Sequence, residues 1–144
     1  MLPQRNAQLF AQVCADVLAR AYDAFPSTID VDPRALGMGA AVAANSDEAE
    51  GWKHLTETAS EAIDCLIDQG VIKTTTDSRG WSGGDLKGVH LTHLGHELLG
   101  SAVAQPDKRP DLPLVQLLRE ALAMRSREMV VDAVKLLLRV HADH

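Results

Sequence analysis

Between Thr58 and Leu99 an amphipathic stretch closed by Gly70 is followed by two β-rich segments and then by Val89-His-Leu-Thr-His-Leu-Gly-His-Glu-Leu-Leu99. Few folds accept that succession: a helix stopped by glycine, a hairpin, and a capped helix starting directly off the second strand. Ala59, Ala62, Ile63, Leu66 and Ile67 recur at helical spacing from about Ala59 to Gln69. Thr58-Ala-Ser-Glu61 has the form of a capping box, so this helix is expected to start there, apart from a preceding short one anchored by Trp52 and Leu55. Gly70 is placed to end it in a left-handed conformation. Val71-Ile-Lys-Thr-Thr75 and Gly88-Val-His-Leu91 predict the hairpin, with Gly80, Gly83 and Gly84 at its tip. Thr92 then caps a helix containing Leu94, Leu98 and Leu99.

Upstream, Leu9, Val13, Val17 and Ala21, joined by Phe10, Cys14, Leu18 and Tyr22, predict a first helix over residues 4–24 that ends before Phe25-Pro26. Ile29 and Val31 alternate with acids in one short strand. Asp32-Pro33 opens a short helix to about Ala44. Downstream, residues 100–113 read as a polar connector holding Pro106, Pro110 and Pro113. Helical spacing resumes from Leu114, but the stripe of Leu114, Leu118, Ala121 and Leu122 is rotated from that of Met129, Ala133, Leu136 and Val140. A long bent helix or a helical hairpin, broken near residues 125–127, follows from that rotation.

The chain has 144 residues, 46% of them hydrophobic, which supports one compact domain plus an extra element. No apolar run approaches the roughly 20 residues that cross a bilayer, and no basic-then-apolar leader opens the chain, so a soluble cytoplasmic protein without membrane insertion is expected. Cys14 and Cys65 sit singly in apolar helical patterns and read as small buried hydrophobes. The net charge of -6 lies wholly in residues 47–100, which hold ten acids and four bases; the remainder balances ten against ten.

Ala62-Ile-Asp-Cys-Leu-Ile-Asp-Gln-Gly-Val-Ile-Lys73 and Leu91-Thr-His-Leu-Gly-His-Glu-Leu-Leu99, in the order helix, strand, two helices, two strands and closing helix, resemble a winged helix-turn-helix domain over about residues 5–103. The resemblance implies a mainly α fold with a small β-wing, of the α+β class. The expected division is a winged-helix domain at 1–103, a connector at 104–112 and a helical extension at 113–144. It also usually implies DNA binding, with the helix at 59–69 in the major groove and the wing on the backbone. Here that helix places Glu57, Glu61, Asp64 and Asp68 in one outward stripe, which repels phosphates where base readers carry Arg, Lys, Asn or Gln. The stripe reads either as a solvated face or as a surface for a basic partner protein, and Trp81 at the wing tip either folds back onto the domain or anchors such a partner. A DNA-binding regulator is the competing reading, with Lys53, Lys73, Arg79 and Lys87 supplying the attraction.

No GxSxG, HExxH, phosphate loop or paired-carboxylate setting occurs, so a noncatalytic protein without cofactor is expected. No metal site is expected; His93 and His96, which share a helix face, are the pair a metal would use. The C-terminal segment is apolar over more than one face. A homodimer through Leu114, Leu118, Leu122, Met129, Ala133, Leu136, Leu137 and Val140 is the expectation.

Overall fold

The computed structural model describes residues 4–33, 35–37, 39, 51–75, 86–103, 112–124 and 127–142. Helices dominate, with a small antiparallel sheet of three strands among these residues. Helix α1 (Gln4–Ala24) leads into strand β1 (Ile29–Val31), and residues 33, 35–37 and 39 are helical. Helix α2 (Gly51–Asp68), strands β2 (Ile72–Lys73) and β3 (Leu86–Leu91), and helix α3 (His93–Gly100) follow. Short strands β4 (Ala102–Val103) and β5 (Leu112–Pro113) then precede helices α4 (Leu114–Ala123) and α5 (Arg127–Ala142).

In the sheet the order is β1-β3-β2, both pairs antiparallel, with Ile29 opposite Val89 and Ile72 opposite Leu91. The β1–β3 register slips between Ile29 and Val31. Gly88 sits there at φ +69°, donating its amide to Asp30 Oδ1 at 3.2 Å, a bulge that needs a glycine.

Helix α2 runs unbroken from Gly51, so the expected start at Thr58 does not occur. No Pro or Gly separates Leu55 from Ala62, and extending a formed helix costs less than nucleating a second one. Thr58 lies mid-helix at 7% exposure, beside buried Ala59, Ala62, Ile63 and Leu66. The end of α2 follows the sequence reading: Gly70 takes φ +75°, its amide bonds Ile67 O at 2.9 Å, and the Val71 amide bonds Leu66 O at 3.0 Å. That crossed pair satisfies the last carbonyls of the helix.

Thr92 caps α3, its Oγ1 accepting from the Gly95 amide at 3.0 Å, while its own amide donates to Val71 O at 3.0 Å. The cap therefore ties α3 to the turn after α2. The flanks of the expected connector are ordered, Ala102 pairing with Pro113 and Val103 with Leu112, and the Leu114 amide bonds Ser101 O at 2.9 Å. Residues 104–111 lie outside the described residues.

Helix α1 is packed by α2, α4, α5 and β3. Leu9, Val13, Cys14, Ala15, Val17, Leu18 and Ala21 are buried around most of its circumference. Asp16, Arg20 and Asp23 form its wet edge. Leu114, Leu118, Val130 and Leu137 join the same core as α1. The C-terminal segment is thus two helices packed on each other and on α1, separated in the region where the stripe rotates.

Candidate functional site: the outer face of α2

At about 100° per residue, positions 57, 61, 64 and 68 fall within roughly 60° of one another, opposite the side that Leu66 and Ala62 bury. Glu57, Glu61 and Asp68 are exposed and Asp64 is half-buried. The carboxylates thus lie together on the outer face, as their spacing requires. Two of them lie toward the C-terminal end of the helix. Asp64 and Asp68 occupy the last two turns of α2, where the macrodipole is negative, and no basic residue stands in the last turn. A negative charge in the exposed last turn of a helix is opposed by the macrodipole by a few tenths to about 1 kcal/mol, an effect that falls off beyond that turn.

The thiol of Cys65, on the same helix, is raised from its ordinary value by partial burial and then by the neighbouring Asp68 carboxylate. Cys14, fully buried on α1, is raised further, by burial first and then by the proximity of Cys65. Both are therefore neutral thiols near pH 7, with little nucleophilic character.

Of the cations considered for nucleic acid, Lys73 and Lys87 are exposed on β2 and β3. Arg79 and Trp81 lie outside the described residues, as do the side chains of Lys53 and Val140. The two histidines considered for metal do not act as a pair. His93 is exposed, whereas the His96 ring is stacked between Phe25, centroids 4.2 Å apart, and Tyr22, at 5.1 Å. Arg119 extends the column, its guanidinium 5.6 Å from the Tyr22 centroid and ion-paired to Asp23. This aromatic column joins the end of α1 to α3 and α4. Sequence reasoning missed it, because residues 22, 25, 96 and 119 come together only through tertiary packing.

The side chains expected to form a dimer seam divide in two. Leu114, Leu118, Ala133 and Leu137 are buried within one chain, against α1 and each other, and so do not reach a second copy. Leu122 and Leu136 are half-buried, and Met129 is 37% exposed.

A cleft of about 280 Å³ lies between α1 and β1, lined by Asp16, Arg20, Asp30, Asp32, Ala35, Leu36 and Gly39. Its carboxylates already have structural partners: Asp16 pairs with Arg20 at 2.9 Å and Asp30 receives the Gly88 amide. Gln12 is a further feature the sequence did not signal. It is 6% exposed, with Oε1 lacking a hydrogen-bond partner among the described residues.

No protein-family model, curated protein or solved structure matches the chain. No helix among the described residues is long and apolar enough to cross a membrane.

Proposed function

We propose that this chain is a noncatalytic winged-helix module that docks a basic protein partner on the outer face of α2. The observation that carries the reading is the gathering of Glu57, Glu61, Asp64 and Asp68 on one outer face of α2. A row of carboxylates along one outward helix face complements a cationic partner and repels a polyanion. The winged-helix part draws support from the element order and from the strand order β1-β3-β2, which brings β1 beside the hairpin strand that feeds α3. In that arrangement α2 is the recognition helix. Its outer face is anionic where a groove reader needs cations.

The test compares an oligo-arginine peptide with random duplex DNA at low salt. Peptide binding is expected to weaken in Glu57→Lys/Glu61→Lys and to persist in Glu97→Lys/Glu120→Lys, which changes the charge equally but off the stripe. Asp68→Lys is expected to lose peptide affinity as well. Duplex binding that falls steeply with salt would favour the competing regulator, with Lys73 and Lys87 as contacts. Peptide binding equal in both double variants would overturn the docking face.

A further inference from the structure

On α5 the outward charges follow a self-complementary order. Glu128 and Asp132 occupy the first half of the helix and Lys135 and Arg139 the second, all four exposed. At about 100° per residue they form one stripe within roughly 60°. Buried Val130, Ala133, Val134 and Leu137 define the opposite side, so the stripe faces away from the chain's own core. Beside it stand Met129, 37% exposed, and half-buried Leu136. Reflection about the peptide bond between Ala133 and Val134 exchanges Glu128 with Arg139 and Asp132 with Lys135, so every acid meets a base. Met129 and Leu136 flank the stripe on one side and half-buried Val131 and Leu138 on the other, so along each side of an antiparallel pair apolar meets apolar.

A two-fold axis normal to α5 performs that reflection between two molecules. It is the symmetry of an isologous dimer, in which one patch must complement itself. We propose that a second copy of this chain docks on the outer side of α5, the two helices antiparallel, with Glu128 and Asp132 of each facing Lys135 and Arg139 of the other. A parallel pairing would set like charges together and is disfavoured. This inference is independent of what α2 binds. It differs from the seam expected from sequence, whose main side chains are buried within one chain.

The same charge order also suits the macrodipole of an isolated α5, so the experiment must separate the two uses. Glu128→Arg/Asp132→Lys makes the stripe wholly basic, and Lys135→Glu/Arg139→Glu makes it wholly acidic. Sedimentation equilibrium on the full chain is expected to show a wild-type dimer and at least a tenfold weaker dissociation constant for each variant alone, on the order expected for lost charge complementarity. An equimolar mixture of the two variants is expected to recover a mixed dimer, identified by mass in native mass spectrometry. The macrodipole alone predicts no such recovery. A monomeric wild type, variants that dimerise as tightly as wild type, or a mixture that does not pair would each overturn the proposal. Should a reversed variant fail to fold, the wild type still decides: its dimer weakens as salt screens the pairs, and a salt-independent dimer overturns the antiparallel charge register.

Discussion

At Gly95 a methyl group would have to occupy the space of the Val71 carbonyl oxygen, so α3 can lie against the turn after α2 only because that position has no side chain. Gly95→Ala is therefore expected to cost about 2–3 kcal/mol, read as a lowered urea midpoint, from overpacking against backbone that cannot yield. Gly100→Ala is the internal control. Its nearest neighbour would be the Tyr22 hydroxyl at 3.9 Å, an ordinary contact, and its effect should stay within about 0.5 kcal/mol. A second prediction concerns Cys14, whose thiol burial holds in the neutral form. A raised folded pKa contributes its stability in full below the unfolded value, near 9.0, and loses it as pH rises beyond. Each pH unit above that point removes about 1.4 kcal/mol for one such thiol. Urea midpoints measured from neutral to alkaline pH should fall more shallowly for Cys14→Ala than for wild type; equal slopes would mean that the thiol ionises in the folded protein.

Among the elements, α2 shows where local sequence signals mislead. Thr58 and Glu61 have the spacing of a capping box, yet the helix passes through both, because Leu55, Ala59, Ala62 and Leu66 continue a single inward face that a break would disrupt. Glu61 then caps nothing. Glu61→Ala should change the stability from urea unfolding by less than about 0.5 kcal/mol, whereas a true capping role would cost roughly 1 kcal/mol. Signals that act within a few residues were legible: the stop at Gly70, the Thr92 cap and the strand pair around Val89 all follow from neighbours in the chain. The column of Phe25, His96, Tyr22 and Arg119 was not, since its members come from α1, α3, α4 and the turn after α1 and share no periodicity. His96→Ala should destabilise by about 1–2 kcal/mol through loss of two ring contacts, and Arg119→Ala by less than about 1 kcal/mol, since its ion pair with Asp23 is solvent-exposed. The acidic stripe was legible as well, being four positions of one helix.

For the molecule as a whole, the arrangement about α1 matters most. The sequence pattern of Leu9, Val13, Val17 and Ala21 with Phe10, Cys14, Leu18 and Tyr22 predicts a helix without saying how many neighbours it has; the structure buries most of its circumference between α2, β3, α4 and α5. Small residues made the wider burial hard to see: Ala11, Ala15 and Ala21 add little hydrophobic signal but admit close neighbours. A chain ending at Pro113 should lose its cooperative thermal transition by circular dichroism, because removing Leu118, Val130 and Leu137 uncovers α1. A sharp transition retained by the shortened chain would show that residues up to 113 hold a core of their own. The enclosure of α1 also has a kinetic side. On the ribosome this helix emerges ahead of α2 to α5, and two of the helices that pack on it, α4 and α5, follow α2, the sheet and α3. Its burial waits on translation of almost all the intervening chain, so a stall before α5 leaves a nascent polypeptide with an open apolar helix, the sort of segment chaperones hold.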